Sequence, residues 1–386
     1  MNVMRIIFVF IMLVFVYGGA HFYTAGRLYQ WVNLLIPNLN IKFYIGIFIF
    51  LALSIILGFM PFPSGIKYII NIISAYWLGI FVYLFSFTIA ADLCLLFAKL
   101  IKIIPYPIPQ NILFWKGLIV LILTAGIVSY GLYNANQIKH VSYNVQIKNL
   151  SLSSEIKIVM ISDLHLGAVN SERNLKKIVQ RINETNPDIV CITGDIFNDD
   201  YNSIRSPSKV IDLLKSINST YGVYACLGNH DGGKTLNSMI SLLEQSNITL
   251  LNDEYVTIDN RLILIGRLDP FPIGGFGDMQ RKDIKEIFTM IDTNLPIVVM
   301  DHNPSNIHQY GKETDLIISG HTHRGQIFPG SLITKALFTV DYGHYQKDID
   351  SPHVIVTSGA GTWGTPMRIG TNNEIVSITF ISKTQQ

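Results

Sequence analysis

The first 138 residues and the rest of the chain follow different hydrophobic patterns. Four stretches in the first part, 6–26, 43–66, 68–91 and 117–138, run for 21 to 24 residues without a charge. A helix needs about 20 mainly apolar residues to cross a bilayer, so the pattern predicts four membrane-spanning helices. Pro61, Pro63 and Gly65, followed by Lys67, separate the middle two, because proline breaks a helix and a lysine seeks water. Two rival readings are core helices of a soluble protein and a signal peptide cleaved near Gly18-Gly19-Ala20. The near absence of charge argues against the first, and the further spans argue against the second.

Beyond residue 140 the apolar runs shorten and end in Gly, Asp, Asn or His. They predict strands at 156–161, 189–193, 223–227, 262–266, 297–300, 316–319, 354–357 and 374–380, with helices at 174–186, 208–218 and 234–247. Alternation early and strands late predict an α/β class with mixed sheets. The organisation expected is a transmembrane helical region over 1–138, a linker over 139–150 and an α/β domain over 151–386.

Composition agrees with this division. Charged residues make up 15% of the 386, against about 25% in soluble domains. Residues 1–138 hold seven bases and a single acid, Asp92, for a net charge of +6, while the remainder carries −4. Asp92 is expected near a span end. The acidic remainder excludes a basic nucleic-acid surface, and the apolar content excludes disorder. Cys94, Cys191 and Cys226 form neither a disulfide framework nor a CxxC pattern. Cys191 and Cys226 are expected to be buried. Arg27, Lys42, Lys99, Lys102 and Lys116 flank two loops on one side; Arg5, Lys67 and Lys139 lie on the other. Five against three, under the preference of positive charge for the cytoplasm, places the C-terminal domain outside the cytoplasm.

The polar residues that carry chemistry follow the apolar strands. Asp163-Leu164-His165, Gly194-Asp195, Gly228-Asn229-His230-Asp231, His302 and Gly320-His321-Thr322-His323 each come directly after one. In open α/β sheets ligands bind beyond the carboxyl ends of strands, so these loops can converge. Each Asp-x-His or His-x-His pair, read as extended chain, turns both donors to one side. Oxygen and nitrogen donors without a thiolate suit Mn, Fe, Zn or Ni rather than structural zinc. The set exceeds what one ion needs and suits two metals about 3.5–4 Å apart. His21, His140, His308, His344 and His353 lack this context and are expected at the surface or at interfaces.

This ordered set resembles the calcineurin-like metallophosphoesterase superfamily over roughly residues 150–386. With the leading spans and the late Gly361-Thr362-Trp363-Gly364, it is most similar to the membrane-associated bacterial branch. The resemblance implies a four-layer α/β/β/α sandwich preceded by about four transmembrane helices, and two divalent metal ions. Asp163, His165 and His323 would hold one ion, and Asn229, His302 and His321 the other, with Asp195 bridging. His230 would face the substrate as a catalytic residue, oriented by Asp231 or another acid. A hydroxide held by the metals would attack phosphorus.

Two departures matter. Ile196-Phe197-Asn198-Asp199 follows Gly194-Asp195 without the arginine of the superfamily's protein phosphatases, which argues against a phosphoprotein substrate. Arg324 stands where many relatives have glycine, and its guanidinium suits an anionic substrate. The expected function is a membrane-anchored metal-dependent phosphoesterase acting on phosphate mono- or diesters. Its expected partners are the lipid bilayer and a phosphoester, with a lipid or envelope compound as candidate substrate. The alternatives are a pyrophosphatase of the UDP-diacylglucosamine hydrolase kind and a non-catalytic metal-binding membrane sensor.

Overall fold

The computed structural model describes residues 3–105, 107–147, 155–170, 172–292 and 294–382. The chain forms two compact units, Met1–Tyr130 and Gly131–Gln386.

The first unit is helical: α1 (Val3–Leu35), α2 (Ile41–Leu57), α3 (Ser64–Leu100) and the greater part of α4 (Gln110–Ala135). The Asn40 side chain caps α2 by accepting the N–H groups of Lys42 and Phe43. Helix α2 stops before Pro61, and α3 begins directly after Pro63, as proline geometry requires. The end of the second uncharged stretch therefore belongs to α3. Among the described residues, α3 and α4 are long and apolar enough to cross a membrane, and α2 is a shorter apolar helix of 17 residues.

Asp92 does not stand alone in α3. It pairs with Arg27 of α1 at 2.6 Å and Lys116 of α4 at 2.8 Å, and the Tyr23 hydroxyl donates to it. The surface position expected for His21 is also corrected. It is buried and stacked on Phe81 with ring centroids 3.5 Å apart. Its Nδ1 meets the Tyr17 carbonyl, and Trp77 donates to its Nε2. Both ring nitrogens are therefore committed within the helix cluster.

The second unit begins in the last turn of α4. Its elements are β1 (Ile138–Ile147), β2 (Lys157–Ile161), α5 (Glu172–Glu184), β3 (Ile189–Thr193), α6 (Pro207–Lys215), β4 (Val223–Cys226), α7 (Leu236–Gln245), β5 (Ile248–Leu250), β6 (Glu254–Ile258), β7 (Leu262–Gly266), α8 (Ile284–Phe288), β8 (Ile297–Met300), β9 (Leu316–Ser319), α9 (Gly330–Leu337), β10 (Gly343–Tyr345), β11 (His353–Val356) and β12 (Asn373–Ser382). Two mixed six-stranded sheets result, ordered β1-β12-β2-β3-β4-β5 and β10-β11-β9-β8-β7-β6.

Strand alternation builds the layers. Ile158 and Met160 of β2 meet Val298 and Met300 of β8 in a core between the sheets, joined by Cys191 and Cys226. Val159 and Ile161 face the other way, onto α5, α6 and α7 through Leu175, Ile178, Val210 and Met239. Ile297 and Val299 pack outward with Ile284 and Ile287 of α8. Period-two side chains thus feed both faces of each sheet.

The expected linker is corrected. Residues 138–147 form β1, which pairs in parallel with β12 from Ile138 opposite Asn373 to Ile147 opposite Ser382; residues 148–150 lie outside the described residues. Asn134, in the last turn of α4, donates to the carbonyls of Arg368 and Thr371 at 3.0 and 2.8 Å, and Asn373 donates to Ala135.

Candidate metal centre

The carboxyl ends of β2, β3, β4, β8 and β9 carry the predicted loops, and the structure brings them together. The route differs from the extended geometry expected for the Asp-x-His and His-x-His pairs. Asp163, His165, Asp195, His321 and His323 all have positive φ, between 44° and 70°. Each left-handed residue turns the chain sharply off its strand, so the side chain doubles back over the sheet end. Such backbone costs on the order of 1–3 kcal/mol per residue and persists where the surroundings enforce it. Two glycines make room. Gly194 has φ 74°, and a Cβ there would stand 2.6 Å from His302 Nδ1; a Cβ on Gly320 would meet Ser162 Oγ at 2.0 Å.

Asp163, His165 and His323 form one group of donor atoms, and Asp195, His302 and His321 a second. In the first, His165 Nε2 lies 3.0 Å from His323 Nε2, which lies 3.3 Å from Asp163 Oδ1. In the second, His302 Nε2 is 3.1 Å from Asp195 Oδ2, and His321 Nδ1 is 2.9 Å from Asn229 Oδ1. Asp195 Oδ2 is also 3.7 Å from His165 Nε2, so one carboxylate oxygen faces both groups. The His230 N–H occupies Oδ1 of the same carboxylate at 2.9 Å.

The electrostatics fit divalent cations. Burial pushes His165 down to about 3 and His321 down to about 4, and it holds His323 well below the usual imidazole range. These rings are therefore neutral, the form that ligates metal. His302 is oriented by the Thr193 carbonyl, 2.9 Å from its Nδ1, so its Nε2 faces a carboxylate oxygen of Asp195 at 3.1 Å. Burial opposes charge on His302, yet Asp195 and Asp163 raise its pKa well above the ordinary value. The arrangement draws a positive charge between Nε2 and Asp195. Burial also raises Asp163 to about 6, whereas His302 and His165 outweigh burial at Asp195 and keep its carboxyl low.

The acid beside His230 is not Asp231. The Asp231 carboxylate is fully buried and accepts the backbone N–H groups of Phe197 and Gly228, both at 2.8 Å. It ties two loops together. His230 Nδ1 instead lies 2.7 Å from Asp199. Burial lowers the His230 pKa, but the Asp199 hydrogen bond and the nearby carboxylates reverse that, and the net shift is upward. Sequence reasoning had noted Asp199 only as part of a run lacking arginine.

Arg368 was also missed. It is fully buried and donates to the carbonyls of His323, Ser358 and Gly361 at 2.9, 2.7 and 2.6 Å, and to Asn373 Oδ1. Its Nη2 stands 3.2 Å from His323 Nδ1. Burial lowers its pKa to about 10, which still leaves the guanidinium charged at neutral pH. A lone arginine far along the chain carries no motif, so only the fold reveals it. Arg324, next to His323, lies 4.2 Å over the Tyr342 ring.

The geometry can be set beside known proteins. The Calcineurin-like phosphoesterase family matches residues 156–325. An uncharacterized metallophosphoesterase of Campylobacter jejuni is 30% identical over 98% of this chain and 99% of its own. The chain belongs to the metallophosphoesterase family. A transmembrane protein with metallophosphoesterase domain from Danio rerio is 29% identical, covering 69% of this chain and 62% of its own. Among solved structures, Haemophilus influenzae NAD nucleotidase is similar at 18% identity and a TM-score of 0.38, covering 55% of this chain and 46% of that one. This metallophosphoesterase is thus a phosphoester hydrolase of a family that uses two divalent metals, and it carries two candidate groups of donors for them. Its apolar helices and its relatives associate it with a membrane.

Proposed function

We propose that Asp163, His165 and His323 hold one divalent ion, that Asn229, His302 and His321 hold the other, and that Asp195 lies between them as the shared ligand. The observation that supports this assignment is Asp195 Oδ2, within 3.7 Å of nitrogen donors from both groups. When bound, two such ions neutralise phosphoester charge and lower the pKa of water. The chain's own residues do the rest. His230, outside both groups, protonates the leaving oxygen. Asp199 engages Nδ1 and leaves Nε2 as the proton-bearing atom toward substrate. Asp231 fixes the loop that carries Asn229 and His230. Arg368 positions His323, and Arg324 offers its guanidinium to a second anionic group of the substrate. The substrate class is a phosphate mono- or diester of a lipid or envelope compound. Purified full-length protein is tested against bis(p-nitrophenyl) phosphate, phospholipids and lipid pyrophosphates with Mn²⁺, Fe²⁺, Zn²⁺ or Ni²⁺. Turnover is expected to vanish on exhaustive chelation and return with metal. Hydrolysis that survives chelation would overturn the assignment, and turnover confined to water-soluble esters would overturn the substrate class.

We further propose that α1 to α4 each span the bilayer and that the catalytic unit is extracytoplasmic. Asp92 supports the up-and-down order. It collects Arg27 from late in α1 and Lys116 from early in α4, so those helix ends share a side. The charge count places that side in the cytoplasm. Helix α2 is about 26 Å long at 1.5 Å per residue, short for a hydrocarbon core of about 30 Å but within the reach of local thinning. A cysteine at Asn202, an exposed position, is expected to react with a membrane-impermeant thiol reagent in intact cells. Labelling only after lysis reverses the orientation.

A further inference from the structure

Helix α9 is turned the wrong way for a water-soluble surface. Helices α5, α6 and α7 bury their apolar faces, whereas α9 buries no residue. Its polar side packs inward. Thr334 Oγ1 donates to Asp341 Oδ2 at 3.1 Å, and the Asp341 carbonyl accepts the Thr322 hydroxyl at 2.6 Å. Leu332, Ile333, Ala336 and Leu337 fall on one arc of the helix and face out, with Leu332, Ile333 and Leu337 60%, 60% and 73% exposed. The other large exposed apolar side chains of this unit that lie away from the metal centre, such as Met290 and Ile349, are scattered on separate elements.

Two aromatic side chains stand beside the metal centre, one of them at the end of α9. Phe338, which ends α9, has its ring 5.8 Å from His321. Trp363, 52% exposed, has its ring 5.7 Å from His230 and is clamped through its backbone by Gln326. The segment leading into α9 is also tied to the last turn of α4. Phe328 donates to the Ile369 carbonyl, Arg368 donates to Gly131, and Ile369 packs against Gly131.

We propose that α9 and Trp363 form a bilayer-docking surface that seats the metal centre against lipid headgroups. The chemistry matches an interfacial helix: an apolar arc, a lysine beside it at Lys335 whose stem can snorkel, and a tryptophan at headgroup level. This rests on the membrane association of the chain and deepens the proposed lipid substrate class. It makes the phosphoester reach His230 from the headgroup layer.

The test uses full-length protein carrying Cys94→Ser in nanodiscs of phosphatidylethanolamine and phosphatidylglycerol. An environment-sensitive nitrobenzoxadiazole probe is attached at Ile333→Cys, with Asn202→Cys as control. Cys191 and Cys226 are buried and do not compete. The Ile333 probe is expected to shift to the blue, to be quenched by spin-labelled lipid and to escape aqueous iodide; the Asn202 probe should show the opposite. A water-like Ile333 probe quenched by iodide overturns the proposal. So does shielding that rises with protein concentration and survives in detergent, since a second copy of the chain then covers the face. Turnover of bis(p-nitrophenyl) phosphate in the same samples keeps the two readings apart. In these samples the catalytic assignment fails if that turnover needs no metal, whatever the probe reports.

Discussion

Replacing Asp195 with Asn is expected to remove metal and turnover together while leaving the fold intact. The carboxylate is buried between His302 and His165, and one oxygen faces both donor groups. Its charge offsets two cations, which a neutral amide cannot do. An amide also solves the local problem differently, because its N–H can donate to the His302 Nε2 lone pair and remove the need for a cation there. The backbone bond from His230 can persist to the amide oxygen. Elemental analysis beside a rate measurement decides the matter. Unchanged metal content with unchanged turnover would sink the shared-ligand assignment.

His230→Ala is expected to separate chemistry from metal binding. Its ring touches Asp199 and stands 5.1 Å from that of His165, outside both donor groups. Metal content should stay near full while turnover falls by about 10²–10⁴-fold, the usual worth of general acid help. The loss should be largest for esters with a poor leaving group and smaller for p-nitrophenol, which departs without a proton. Asp199→Asn should lose a smaller share of the same rate with metal retained. His321→Ala, by contrast, should lose metal and rate together. If His230→Ala loses metal as His321→Ala does, the roles are wrongly assigned.

Much of the centre was legible because each chemical residue follows a buried strand. The runs at 189–193, 297–300 and 316–319 are apolar but for a closing Thr193 and Ser319, buried throughout, and match β3, β8 and β9 to the residue. The site failed to read where a role depends on which way a loop points. Gly228-Asn229-His230-Asp231 invites an Asp231–His230 pairing, yet the Asp231 oxygens are consumed by two backbone N–H groups, Gly228 of its own turn and Phe197 of the loop after β3. The partner, Asp199, sits on another loop 31 residues earlier. Strand β1 was missed for another reason. Val141, Tyr143, Val145 and Ile147 alternate with polar residues as a strand should, but the strand pairs with β12 at the far end of the chain. Nothing local marks that partner. The same holds for Arg368, whose role comes from carbonyls that only the fold assembles.

The pairing of β1 with β12 sets where the catalytic unit can be cut free. A fragment opening near residue 150 looks reasonable from the motifs, since every proposed ligand lies beyond it. Such a fragment would strip β12 of its neighbour along ten residues, from Asn373 to Ser382. A row of unpaired N–H and C=O groups on an apolar strand is a template for other chains. It would also remove Asn134, whose amide holds the carbonyls on either side of the Arg368 loop. The helix that enters from the first unit thus ends as a part of the enzyme's own edge, and a fragment that keeps these contacts must open before Asn134 rather than at the first motif.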